Sequence, residues 1–400
     1  MKVVAQGLVH GGDTLARLDD GRVVFLQGAA PGDTVEAEVF EDSGRFLRAR
    51  ALRVLSSGPS RVSAPCEFLP RCGGCPVQQI AYAEQLRGKE ALAADALERI
   101  GGFARGSYAL RPIVESPKQF NYRRRARLHR ARGGWGFAQA GTVQIEPVAR
   151  CLLFEPLLQT LADLLGDLPG ATDVAILAGE KNGALDVHGK VSRKHLEELA
   201  RHRLIKGVTS GGAMIGDPVI VDQPLANGAR LRSRPDTFAQ ANRSLVPALQ
   251  GEVLRLLQGS ERVLELYCGS GTLTLPLLGN GRTVTAVESA GPSLLLLRKS
   301  ADEAGLPVRL IAGDAAKVSL EGSFDAALID PPRTGAAEAV NKLAAMKLPR
   351  VVYVSCDAPT LARDGKMLAQ RGYKLVEATP LDLFPQTAHF EVVALFEAAV

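Results

Sequence analysis

Two side chains stand where chemistry could occur. Cys356 closes the run Arg350-Val-Val-Tyr-Val-Ser-Cys356, and Asp330 closes Asp325-Ala-Ala-Leu-Ile-Asp330 just before Pro331-Pro332-Arg333. Both runs are short and apolar, as buried strands are. In open α/β sheets, ligands bind in the crevice beyond the carboxyl ends of the strands. A thiol at such a place can bond covalently to a substrate, and a carboxylate can orient one. A lone cysteine reads more simply as a small buried hydrophobe. The second polar strand end is what favours chemistry.

A third strand end carries a glycine turn. Val263-Leu-Glu-Leu-Tyr267 runs into Cys268-Gly269-Ser270-Gly271-Thr272. Gly269 and Gly271 permit a tight turn and close backbone approach to a ligand. A dinucleotide fingerprint would place another glycine where Thr274 stands. Glu288 ends the next strand and suits ribose hydroxyls, and Asp314 follows the one after. Glu-x-x-x-Gly-x-Gly with later acidic strand ends is the pattern of S-adenosylmethionine methyltransferases. NAD binding is the alternative.

The methyl acceptor follows from the thiol. Asp330-Pro331-Pro332 is similar to the motif of exocyclic-amine methylases, but Arg333 replaces the aromatic residue that would stack on the base. Uracil C5 is a weak nucleophile; a thiolate added to C6 makes C5 able to attack a methyl sulfonium. A general base must then remove the C5 proton. Cys356 is the candidate nucleophile and Asp330 the group for the base edge. Glu391, in His389-Phe390-Glu391-Val392, is the candidate base, with His389 as the alternative. The choice rests on the last strand being antiparallel, because the connection through Pro380 and Pro385 is too short for a helical crossover.

The elements that must position these residues lie in a βα rhythm from about residue 237. The expected strands are 262–267, 283–288, 308–311, 326–330, 350–356, 373–378 and 390–397, which predicts a doubly wound sheet. Residues 1–57 read as a small β-barrel and Ser56-Ser-Gly-Pro-Ser60 as a linker. Residues 58–236 form a central region that opens with a cysteine loop and a helix over 82–100. The catalytic region is 237–400.

Cys66-x5-Cys72-Gly-Gly-Cys75 gathers three thiols, and Cys151 is the one other cysteine before the catalytic region. Four thiolates suit zinc or an iron–sulfur cluster. A disulfide framework is not expected in so large a chain. The net charge is +5, but cations crowd Tyr122-Arg-Arg-Arg-Ala-Arg127-Leu-His-Arg130, with Phe120 and Trp135 nearby. That composition points to a nucleic acid partner. No apolar run reaches the roughly 18–20 residues needed to span a bilayer, and Met1-Lys2-Val3-Val4 lacks a secretory apolar core. The expectation is a cytoplasmic monomer.

Taken together, these motifs resemble the TrmA/RumA group of RNA 5-methyluridine methyltransferases, above all its RumA (RlmD) branch. The resemblance spans nearly the whole chain. It implies a class I, Rossmann-like methyltransferase domain, an N-terminal TRAM β-barrel of OB-like type, and a small α+β central domain carrying a [4Fe–4S] cluster. By this resemblance Cys66, Cys72, Cys75 and Cys151 hold the cluster. Gln240 in Phe238-Ala-Gln240-Ala-Asn242, with Tyr267, Gly269, Gly271, Thr272, Glu288, Asp314 and Asp330, contacts cofactor or substrate. Val354-Ser-Cys356-Asp-Ala-Pro carries the nucleophile, and Phe384-Pro-Gln-Thr-Ala-His-Phe-Glu391 the base. The pattern departs at Asp357-Ala358-Pro359, where Asn-Pro-Ala is usual, and at Thr272, where Asn is frequent. The implied substrate is RNA, rRNA in preference to tRNA. Cytosine-5 methylation, an iron–sulfur oxidoreductase and a non-catalytic RNA binder are the alternatives. The helix over 82–100 is expected to pack on the catalytic domain.

Overall fold

A computed structural model describes residues 1–279 and 281–399. The C-terminal region is built on an eight-stranded sheet. The order is Arg309–Ala312, Thr283–Glu288, Arg262–Leu266, Ala326–Ile329, Arg350–Ser355, Glu391–Ala398, Tyr373–Leu381 and Ala109–Leu110. The first five strands are parallel, and Glu391–Ala398 is antiparallel to both its neighbours. The expected hairpin of the last two strands is therefore present. The central strands are buried on both faces, which is why they read as continuous apolar runs.

The N-terminal five strands are ordered Lys2–Val4, Thr34–Asp42, Phe46–Ser56, Val23–Gln27 and Thr14–Arg17 around a small apolar core. The stretch read as a linker is instead docked. Asp33 is fully buried and accepts from Ala30 N, Gly58 N and the Arg61 guanidinium, while Ser60 Oγ donates to Pro31 O at 2.8 Å. Gly58 lies too close to the Gly32 backbone for any side chain. Turn composition signalled a boundary but not the buried carboxylate that closes it.

A seven-stranded sheet fills the centre, in the order Ala213–Gly216, Ile205–Ser210, Gly183–Gly189, Ala171–Ala178, Arg125–Ala131, Gly134–Ala138 and Ile145–Pro147. Here the arginine-rich stretch meets acidic partners from elsewhere in the chain. Arg124 is buried against Asp222 at 2.7 Å, Arg127 pairs with Asp173, and Arg130 pairs with Asp167 while lying over Trp135. Arg125 donates to Pro235 O at 3.1 Å. Much of the apparent basic stripe thus holds the sheet together. Its neutralising aspartates lie far along the chain, so a local charge count missed them.

The chain then crosses over. Helix Tyr82–Asp95 continues through a π-type turn to Ile100 and packs Leu92, Ala93, Ala96 and Leu97 into the catalytic core. Ala109–Leu110 adds an edge strand to the catalytic sheet. At the heart of this junction Lys89 and Asp382, both fully buried, pair at 2.5 Å. Removing one partner of such a pair leaves an uncompensated charge, whereas replacing both with apolar groups is often neutral. Lys89→Met should therefore lower unfolding free energy by about 3–5 kcal/mol. The Lys89→Met/Asp382→Leu pair should recover most of it, as read from denaturant midpoints.

Candidate active site

The nucleophile, carboxylate and base candidates meet at one sheet edge because of strand register. Arg350–Ser355 pairs with Glu391–Ala398 so that Ser355 faces Val392. The next step of that register sets Cys356 opposite Glu391. On the other side Ala326–Ile329 runs parallel to Arg350–Ser355, with Ile329 opposite Tyr353, so Asp330 emerges beside the same crevice.

Cys356 sits between the end of its strand and helix Ala358–Ala369. Asp357 caps that helix, accepting from Thr360 N at 2.9 Å, and Pro359 occupies its first turn. The same helix braces the loop that follows Asp330. Thr360 Oγ1 donates to Arg333 O, Arg363 donates to Thr334 O, and Ala336 N donates to the buried carboxylate of Asp364. Tyr353 OH donates to Asp364 at 2.7 Å. A Cβ at Gly335, where φ is +83°, would collide with Arg363, Thr360 and Asp364. The loop is thus held with Arg333 turned toward the thiol.

The electrostatics of the crevice are set by burial. Glu391 is 5% exposed and its Oε2 has no partner. Burial, then the nearby Asp330, push its carboxyl well above the usual range, and Arg333 opposes them. Asp330 keeps an edge open to the crevice, yet burial pushes it up to about 7. The Cys356 thiol rises to about 11, through burial first and then the charge of Glu391. Arg333, by charge and hydrogen bond, is the one group lowering it. His389 is pushed down to about 4 by burial and then by Arg333 and Lys89, so it is a poor proton acceptor. This weighs against His389 as the base. Arg333 escaped sequence reasoning, which saw in it only a missing aromatic residue.

The glycine turn lies two strands away from Cys356's strand. Tyr267, Gly269 and Gly271 have φ of 64°, 54° and 91°, and a Cβ at Gly271 would strike Leu297 at 2.5 Å. Glu288 accepts from Gly269 N at 3.0 Å and from Ala290 N at 2.8 Å. Gln250 donates to Thr272 O, which anchors the turn through its backbone. Asp314 is held below its usual range by Ala316 N–H and Lys317. Among the buried side-chain atoms without a partner in the protein are Gln240 Oε1, Glu265 Oε2, and the hydroxyls of Ser270 and Thr274. Burial raises Glu265 to about 8. An amine-bearing ligand would supply donors to such groups. Glu265 was visible in the sequence as an acid inside an apolar strand, but its orphaned oxygen was not.

Cys66, Cys72, Cys75 and Cys151 lie apart from this crevice. Their loop docks on the central sheet, with Gly73 N donating to Ala138 O at 3.0 Å and a Cβ at Gly73 meeting the Ala140 backbone at 3.0 Å. The Cys75 thiol senses the charges of the other three. Burial pushes Cys75 up to about 12 and Cys151 to about 11. Among the described residues, no three His, Cys, Asp or Glu side chains converge closely enough to hold a single metal ion. The set does not present the tight tetrahedron that zinc requires.

Comparison with known proteins bears on the fold and the family. The TRAM domain family matches residues 2–52, a methyltransferase domain family matches 263–344, and the tRNA (Uracil-5-)-methyltransferase family matches 316–399. The 23S rRNA (uracil(1939)-C(5))-methyltransferase RlmD of Pseudomonas putida is 35% identical, over 95% of this chain and 90% of its own. The enzyme of the same description from Thiobacillus denitrificans is 33% identical over 98% of both. The tRNA (uracil-54, C5)-methyltransferase of Pyrococcus abyssi, solved with S-adenosyl-L-homocysteine, superposes with a TM-score of 0.80 over 99% of both chains. At 24% identity that likeness speaks to the fold. The glycine turn, the thiol beside two buried carboxyls and the near full-length kinship agree: the chain belongs to the S-adenosylmethionine-dependent RNA (uracil-5-)-methyltransferases, in the branch that holds the RlmD enzymes.

Proposed function

We propose that this protein methylates C5 of a uridine in 23S rRNA. The carrying observation is the meeting of Cys356, Asp330 and Glu391 at one crevice. The rRNA substrate rests on the relatives' activity. Gln240, Glu265, Tyr267, Gly269, Gly271, Thr272, Glu288 and Asp314 would hold S-adenosylmethionine, which supplies an electrophilic methyl group.

In this reading Asp330 holds the uracil edge. The Cys356 thiolate adds to C6; the S–C6 bond forms as the C5=C6 pair moves toward O4. C5 would then take the methyl group that bound S-adenosylmethionine supplies, with S-adenosylhomocysteine as the leaving group. Glu391 removes the C5 proton, the C5=C6 bond re-forms, and Cys356 departs as thiolate. A carboxyl raised by burial is a stronger base than one in water, which suits this last step. Arg333 stabilises the thiolate at both ends of the cycle.

Cys66, Cys72, Cys75 and Cys151 would hold a [4Fe–4S] cluster. Their donors are all thiols, and a cluster's thiolates bind separate irons, so they need not converge on one point. The reaction needs no redox step, so the cluster would brace the loop and the RNA-facing surface. We also keep residues 1–57, 58–236 and 237–400 as the working division into domains.

Cys356→Ala should bind S-adenosylmethionine yet form neither 5-methyluridine nor an adduct with 5-fluorouridine RNA. A variant that still forms product would remove Cys356 from the mechanism. Thiolate fraction rises about tenfold per pH unit below the thiol's value, which is about 11 here. Adduct formation by the wild type should therefore accelerate between about pH 6 and 9. Arg333→Gln should slow it at neutral pH by about tenfold, measured by stopped-time denaturing gels. Anaerobically purified protein should contain iron and acid-labile sulfide in equal amounts; stoichiometric zinc instead would refute the cluster.

A further inference from the structure

The segment from Asp382 to Phe390 delivers Glu391 to the crevice without regular structure of its own. Four consecutive residues of it are each gripped by a side chain from outside. Asn242 Nδ2 donates to Leu383 O at 3.2 Å. Lys89 Nζ donates to Phe384 O at 3.1 Å while pairing with Asp382. Tyr122 OH donates to Pro385 O at 3.0 Å. Gln85 donates to Gln386 Oε1 at 3.0 Å and accepts from Gln386 N at 3.1 Å.

All four side chains are buried, Lys89 and Asn242 completely. Gln386 is held at φ 67°, a left-handed conformation that costs a non-glycine residue energy unless its surroundings enforce it. A buried lysine is an expensive way merely to fill space, since apolar residues would do so more cheaply. The grips also come from places that matter to the reaction. Asn242 is two residues from Gln240, a proposed cofactor contact, and Tyr122 packs against Cys75 of the cysteine loop and against Leu153.

We infer that Lys89, Gln85, Tyr122 and Asn242 are positioning residues that hold Glu391 at the C5 proton, making its removal the step most sensitive to their loss. The inference rests on Glu391 being the base. A misplacement of about 1 Å can cost on the order of 100-fold in rate, and general-base steps depend on such geometry.

The test uses the charge-cancelled Lys89→Met/Asp382→Leu protein and, separately, Gln85→Leu, each checked by thermal melting. Both should show kcat for 5-methyluridine lowered about 10- to 100-fold, with KM for S-adenosylmethionine unchanged. The rate of adduct formation with 5-fluorouridine RNA should also be unchanged, because addition and methyl transfer precede the base step. With unmodified RNA, a denaturation-stable protein–RNA adduct carrying the labelled methyl group should accumulate. Unchanged kcat, or an equal fall in adduct formation and turnover, overturns the inference. The base assignment is read separately: Glu391→Gln with normal turnover would refute it whatever the clamp variants do.

Discussion

The register between Arg350–Ser355 and Glu391–Ala398 is the constraint on which the site depends. Ser355 faces Val392, so the residue after one strand lies beside the residue that begins the other. A slip of one position would turn every side chain of Glu391–Ala398 to the opposite face and carry Glu391 away from the thiol. Burial on both faces of these strands makes such a slip costly. The parallel neighbour Ala326–Ile329 adds Asp330 under the same rule.

Crowding three acidic groups into a dry crevice has an electrostatic consequence. Asp330 and Glu391 each disfavour ionisation of the other, and both disfavour a thiolate at Cys356. The site stays poised rather than fully charged, with Arg333 as its counterweight. That arginine is delivered by a loop whose path is fixed by Asp364, Thr360 and Arg363 on the helix following Cys356. The strand, the capped helix and the braced loop therefore form one device. The segment on the far side, from Asp382 to Glu391, is turned locally by Thr387, whose hydroxyl donates to Phe384 O and accepts from His389 N, and is further held by side chains from the central region.

The parts of this architecture that were legible in the sequence share a physical character. Cys356 and Asp330 end strands buried on both faces, and such strands announce themselves as unbroken apolar runs. Gly269 and Gly271 mark a turn that needs positive φ. The hairpin that delivers Glu391 followed from a connection too short for a helix. Each of these is a local property of the chain, decided within a few residues.

Where partners lie far apart, the same reasoning stopped. Lys89 sits on an Ala- and Glu-rich helix and looks solvated, yet its partner Asp382 is 293 residues away. The arginines from 124 to 130 look like an RNA-facing stripe until Asp222, Asp173 and Asp167 fold against them. Glu265 and Gln240 show their unpartnered oxygens only once neighbouring strands close around them. The sequence by itself determined the strand ends, the glycine turn, the candidate nucleophile and the family pattern. Tertiary structure alone decided which charges are paired, how far burial moves the acidic groups, and what holds Glu391 in place. The reason is physical: propensity and periodicity act through near neighbours, whereas desolvation and ion pairing depend on whichever groups the folded chain brings together.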